Sequence, residues 1–428
     1  MIVIENGTVI DPSAKRDGEF DVLIDAGKIK EVGAKGAFTK IQAQKIEAAG
    51  QLVVPGLVDL HVHLREPGYE WKETIETGSR AAVLGGYTTV CCMPNTNPIN
   101  DSAQVTEFIL ERAESAGLCR VRPIGAVSIG SKGEQLAPLS ELWKAGCVAF
   151  SDDGEPVYDA GLMRRALEWC LMHGCPISCH EEDKSLTCGG CMNESPRSLR
   201  MGLKGMPSVA EDVMVARDIE LARYTAGRVH ICHVSTARSI ELVRRAKRDG
   251  IAVTCEVTPH HLVLTEEALG NYDTNAKMSP PLRQAEDRDA LVQALQDGTI
   301  DAIASDHAPH DKDSKTVEFS EASLGILGLQ TSLPLMLEFM HAGVISRTRA
   351  VDVLSSGPAR AFGLKAGTLQ AGAPADVSVI DPDYEWIFSE KDVISLSRNS
   401  PFLGRKLRGR ATYVVVDGVI KVSNGMSL

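Results

Sequence analysis

The chain has 428 residues, 43% hydrophobic and 24% charged, the balance of a folded globular protein rather than a disordered one. With 45 Lys and Arg against 57 Asp and Glu, its net charge of −12 argues against nucleic acid or an acidic membrane as main partner, while leaving room for a local basic pocket. No apolar run reaches membrane-spanning length, and the start MIVIENGTVIDP lacks the layout of a signal peptide, so the expected compartment is the cytoplasm.

Residues 1–54 predict strands throughout. MIVIENGTVI, FDVLIDAGKIKEVG and QLVVPG alternate between Gly and Asp turns, and DAGK has the form of a hairpin. A long middle follows in which apolar strands alternate with helical stretches: TTVCCMPN before DSAQVTEFILERAESAG, CVAFSDDG before AGLMRRALEWCLMHG, then PISCHEED, RVHICHVST, IAVTCEVTPHH and TIDAIASDHAPH. About eight strand–helix units between residues 55 and 370 predict a (β/α)8 TIM barrel. From 371 to 428 the β style returns in PADVSVIDPD and TYVVVDGVIKV, with Asp417-Gly418 as a two-residue hairpin turn. The expected organisation is a 55–370 barrel, with 1–54 and 371–428 meeting as one small β-sandwich. Eleven cysteines, an odd count, many in predicted strands, fit buried free thiols. The lone Cys188-Gly-Gly-Cys191 reads as loop thiols.

Active-site groups of such a barrel sit at the C-terminal ends of its strands. Those ends supply His61, His63 and Arg65; then Asn95; then Asp152 and Asp153; then His180; then His233; then Glu256, His260 and His261; and last Asp306, His307 and His310. A single strand-end histidine is ordinarily a hydrogen-bonded core residue. Ligand-type residues closing most units at one common end call for one explanation, and imidazole with carboxylate suits zinc or another first-row metal. Four histidines with a terminal aspartate can supply two ions. An anionic bridge such as Asp153 can join them, and two metals can activate a shared water. Asp306 can then accept a proton and return it to a leaving nitrogen. The expected chemistry is metal-assisted hydrolysis of an amide-like bond.

The segments DLHVHLREPG, GGYTTVCCMPNT, FSDDG, HEED, HVST, EVTPHHL, PPLR and SDHAPH resemble the amidohydrolase superfamily, and within it the class I bacterial dihydroorotases, over essentially the whole chain. The resemblance implies reversible hydrolysis of (S)-dihydroorotate to N-carbamoyl-L-aspartate in pyrimidine biosynthesis. One or two zinc ions are implied, with two favoured. His61, His63 and Asp306 would bind one, His180 and His233 the other, and Asp153 would bridge them. Asp306 would also be the general acid/base, with Arg65, Asn95 and His310 on the substrate carboxylate and His63 also beside substrate. The chain departs from the family in three places. Asp153 stands where many superfamily members have a carboxylated lysine, which counts against hydantoinase and allantoinase. Ser279 replaces a common Asn before PPLR. Leu324 and Gly325 stand where Pro-Phe-Gly is frequent, still offering backbone groups to the ring. Two alternatives are a non-catalytic scaffold for aspartate carbamoyltransferase, which typically loses metal ligands, and another cyclic amidohydrolase. A homodimer, or association with that transferase, is compatible with the sequence.

Overall fold

The computed structural model describes all 428 residues. The N-terminal strands are β1 (Ile2–Asp11), β2 (Arg16–Asp25), β3 (Lys28–Ala34), β4 (Gln44–Glu47) and β5 (Leu52–Pro55). DAGK becomes the β2–β3 turn, with Ala26 and Gly27 both left-handed at φ +48° and +74°. The barrel strands are β6 (Leu57–Val62), β7 (Tyr87–Cys92), β8 (Arg120–Gly125), β9 (Ala149–Phe150) and β10 (Ile177–Cys179). After a small parallel pair, β11 (Met192–Asn193) and β12 (Gly205–Met206), come β13 (Val229–Ile231), β14 (Val253–Val257) and β15 (Ala302–Ile303).

The eight barrel strands pair in parallel in chain order. The ring closes where Val62 bridges His307 and the His63 amide donates to the His307 carbonyl at 2.9 Å. A helix follows each strand, from Ile75–Leu84 after β6 to Ser332–His341 after β15. Helices on the outside leave the strands covered on both faces, which is why they read as apolar runs; every residue of β6 and β7 is buried. Val58, Leu60, Cys91, Ile124 and Cys232 pack with Ala359 and Phe362 of the helix Gly357–Phe362, so the interior is a core and not a pore. The fold is the (β/α)8 barrel expected. No helix is long and apolar enough to cross a membrane.

The third strand, RVRPIG, escapes the sequence reading because two arginines and a proline dilute its apolar pattern. Arg120 explains part of that composition: it pairs with Asp376 at 2.8 Å and with Asp417, tying the barrel to the C-terminal strands. β9, β10, β13 and β15 are only two or three residues long. The chain leaves the ladder there just before the ligand-type side chains begin.

The C-terminal strands are β16 (Val377–Ile387), β17 (Lys406–Val416), β18 (Val419–Ser423) and β19 (Met426–Ser427). β16 runs antiparallel to β5, from Val377 opposite Pro55 to Ile380 opposite Leu52, so both chain ends share one nine-stranded sheet. Its apolar side chains form a separate core, with Ile4, Val22, Val53, Val377 and Val415 in one cluster. Asp417 and Gly418 are both left-handed, at φ +51° and +73°, as an Asp-Gly hairpin requires.

Candidate active site

The strand ends open into one cavity of about 440 Å³, lined by His61, His63, Arg65, Asn95, Asp153, His180, His233, Ser279, Asp306, His310 and Leu324 among others. The β6 histidines reach it through an irregularity. Asp59 to Val62 on β6 spans three residues where Val90 to Cys92 on β7 spans two. This bulge turns His61 into the cavity although its neighbour Leu60 packs with Cys91 in the inner core. Asp59 holds the bulge by accepting from the amides of His61 and Ser305, each at 3.1 Å, which joins the first strand to the last.

Asp153 lies among four imidazoles. Its Oδ1 is 3.3 Å from His61 Nε2, 3.8 Å from His180 Nδ1 and 3.7 Å from His233 Nε2; its Oδ2 is 3.6 Å from His63 Nε2. Asp306 Oδ1 is 3.2 Å from His63 Nε2 and 3.6 Å from His61 Nε2. Two groupings of ligand atoms therefore share Asp153: one with His61 and His63, one with His180 and His233. Asp152 faces elsewhere. Its carboxylate accepts from the amides of Val127 and Ser128, at 2.9 and 3.0 Å, and from the Ser128 hydroxyl.

Hydrogen bonds set the tautomers. His61 Nδ1 donates to Glu256 Oε1 at 2.9 Å, and His63 Nδ1 donates to Asn95 Oδ1 at 2.9 Å, so each presents an Nε2 lone pair to the carboxylates. His180 Nε2 donates to Glu182 Oε2 at 3.2 Å, which turns its Nδ1 lone pair toward His233. Burial alone raises the Glu256 carboxyl, but His230 and His61 bring it down to about 2, so it stays ionised behind the ligands. Burial likewise opposes ionisation of Asp306, and the neighbouring His61 and His63 override it, holding the carboxyl well below its ordinary range. His61 Nε2 and Asp153 Oδ1 are buried without a hydrogen-bond partner. Buried polar atoms are ordinarily paired, and two convergent lone-pair atoms left over in a His/Asp set fit a divalent ion with zinc-type ligands. Glu256→Gln keeps size but weakens acceptance from His61 and His230; metal affinity, measured by competition with a chelator, is expected to fall about 10- to 100-fold.

Arg65, His233 and Asp306 are left-handed, at φ +62°, +30° and +44°. Non-glycine residues adopt that region at a cost of about 1–3 kcal/mol, and such strain clusters at sites where surrounding contacts over-determine the backbone. Arg65 Nε donates to the Pro309 carbonyl at 3.2 Å, and its Nη2 donates to His310 Nε2 at 3.3 Å. His310 therefore carries its hydrogen on Nδ1, which is buried and unpartnered. Burial, then Arg65, Lys72 and Lys315, pull the His310 imidazole down to about 2, so it is a neutral donor.

Other expected residues fall into place less directly. Asn95 lines the cavity, but its amide is engaged with His63 and, at 3.3 Å, with Asp153 Oδ2. Leu324 and Ser279 line the cavity; Gly325 does not. The Gly325 amide donates to the Lys277 carbonyl at 3.0 Å, and its own carbonyl accepts from Asn399 at 3.0 Å, so its backbone groups are already used. A side chain there would meet the Ala308 carbonyl and the His310 ring at 2.6 Å, so this glycine lets the loop pack close behind His310. His261 bonds Thr258 and the Pro280 carbonyl, and His307 bonds Glu73 at 3.2 Å; both are framework residues. Glu182 and His230 escaped the sequence reading as residues that orient ligands. Glu182 was legible in HEED, because residues two apart in extended chain share a face with His180. All eleven cysteines are free; Cys188 is exposed and Cys191 buried, and Gly189 and Gly190 between them line the cavity.

The barrel, the paired ligand groupings and the attached β-sheet define a hydrolase of the cyclic amidohydrolase type. Among solved structures, the L-hydantoinase (dihydropyrimidinase) from Arthrobacter aurescens aligns over 100% of this chain and 97% of its own, with TM-score 0.88 and 26% identity. A dihydro-orotase-like family model matches residues 50–239. The dihydroorotase of Geotalea daltonii is 51% identical over 419 residues, covering 98% of each chain. That of Anaeromyxobacter sp. (strain K) is 52% identical over 427 residues, covering 99% of this chain and 98% of its own. The chain belongs to the dihydroorotase family.

Proposed function

We propose that this chain hydrolyses (S)-dihydroorotate reversibly to N-carbamoyl-L-aspartate, in de novo pyrimidine (UMP) biosynthesis in the cytoplasm. The observation that carries this reading, beyond family membership, is Arg65: a half-buried guanidinium that lines the cavity and is hydrogen-bonded only to a carbonyl and a neutral imidazole. A planar fork without a carboxylate of its own suits an anionic ring rather than a neutral one.

The residues present fit two zinc ions: His61, His63 and Asp306 would hold one, His180 and His233 the other, and Asp153 would serve both. Bound zinc supplies an acidified water and an electrophile for the ring amide. The chain supplies the rest. Asp306, held ionised, accepts a proton and returns it to the ring nitrogen as the bond breaks. Arg65 and the His310 Nδ1–H orient the substrate carboxylate, with Asn95 holding the orientation of His63, which also borders the ring. Ser279 and the Leu324 backbone border the ring on the other side; Gly325 acts by its small size. The working division is a barrel over 55–370 and a β-unit from 1–54 and 371–428. A homodimer, and docking with aspartate carbamoyltransferase, are compatible with this reading.

The test is elemental analysis for metal together with side-by-side turnover of dihydroorotate, hydantoin and allantoin. Faster turnover of either neutral ring overturns the substrate assignment; metal without any turnover points to a required partner. Arg65→Ala is expected to reduce kcat/KM for dihydroorotate by about 2–4 kcal/mol, roughly 30- to 1,000-fold, the loss typical of removing one partner of a buried charged pair. A neutral cyclic amide should lose far less, and equal losses would mean that Arg65 does not bind the carboxylate.

A further inference from the structure

Two buried cations take no part in this mechanism. Lys277 and Lys315 are 4% and 5% exposed, and backbone carbonyls alone receive their ammonium groups. Lys315 Nζ donates to Ser323, Gly325 and Lys277, at 2.7, 3.1 and 3.4 Å. Lys277 Nζ donates to Ala322 and Ser320, at 2.6 and 2.9 Å, and lies 5.4 Å from the centroid of the Phe319 ring. Asp273 and Glu321 act on them only from a distance.

Burying an ammonium without a counter-ion is expensive, and carbonyl dipoles orient the charge without neutralising it. If these side chains served only to order the loop, a neutral residue would do so at lower cost. Their position suggests what the charge is for. They clamp 277–279 and 320–325, the two segments that bring Met278, Ser279 and Leu324 to the cavity wall. The charge reaches the site, since Lys315 is among the cations that keep His310 neutral. The cavity is thus polarised, with Asp153 and Asp306 lining one part of it and Arg65, with Lys72 and Lys315 behind the lining, acting on His310.

We propose that Lys277 and Lys315 are positioning residues for the anionic end of the substrate: they fix the 277–279 and 320–325 wall and leave its positive charge to be balanced by the substrate carboxylate. This deepens the dihydroorotate reading and rests on it. Burial, with Lys277 beside it, draws the Lys315 amine down to about 7, so near neutral pH it carries only part of its charge until an anion arrives to favour the protonated form.

The test compares dihydroorotate with its methyl ester, the same ring without the charge, on the full-length zinc-loaded enzyme. Wild type should favour the acid. In Lys315→Met the acid-to-ester ratio of kcat/KM should shrink about tenfold or more, mainly through KM for the acid, and the rise of that KM with added salt should flatten. The ratio is unaffected by the fraction of variant that folds, and Lys277→Met reads the same effect from the other ammonium. Equal losses on acid and ester in both variants would show two residues that merely order a loop and would overturn the proposal, as would a wild type indifferent to the charge. A metal-loaded wild type that opens neither ring overturns the activity reading itself, an outcome distinct from a lost preference.

Discussion

Asp306→Asn is expected to lower kcat for dihydroorotate by about 10³-fold, within the range that general acid–base catalysis contributes. The substitution preserves size and removes both the charge and the basicity. The position is otherwise well defended. Ser305 is tied to Asp59 across the closing seam of the barrel, and the Asp306 backbone is held at φ +44°. Its carboxylate faces His63 at 3.2 Å and His61 at 3.6 Å, so an amide in its place still meets two ligand histidines. Metal content by elemental analysis is therefore expected to fall much less than turnover. A variant that loses metal and activity in equal proportion would restrict Asp306 to ligation and assign the proton to another group.

Asp153→Asn and Asp152→Asn are expected to behave in opposite ways. Asp153 faces all four histidines, and its loss removes the one carboxylate shared by both ligand groupings. At least half of the bound metal should go, with turnover down by about 10³-fold or more. Asp152 accepts three hydrogen bonds from Val127 and Ser128 and is 3% exposed. An asparagine can satisfy only part of that demand, so the expected loss is about 1–3 kcal/mol of stability with metal retained. Thermal melts beside metal analysis separate the two. Metal loss in Asp152→Asn with none in Asp153→Asn would reverse the assignment.

The proposed proton and metal chemistry thus depends on residues that sequence pattern brings into view but does not orient. Strand–helix alternation is a local property, because each element must bury one face or stripe. The barrel was therefore legible from the hydrophobic period, apart from β8, whose Arg120 serves contacts with Asp376 and Asp417 some 250 to 300 residues away. The His-x-His pair, Asp153, His180, His233 and Asp306 stood out for a related reason: in this architecture polar side chains that close successive strands share one end of the barrel.

The sequence by itself determined the barrel, the meeting of the two β-rich chain ends in one small unit, expected as a sandwich, and the inventory of polar groups at the strand ends. Only the tertiary structure decided which of those groups face one another. The choice of Asp153 over Asp152 depends on the 127–128 loop that engages Asp152. The useful tautomer of His61 depends on Glu256, 195 residues further on. Gly325 lies outside the cavity lining with its backbone groups taken by Lys277 and Asn399, and the lysines without counter-ions become visible only when their carbonyl partners are known. The physical reason is common to all of these. Periodicity is set by neighbours along the chain, whereas the direction of a buried polar side chain is set by whichever distant group completes its hydrogen bonds.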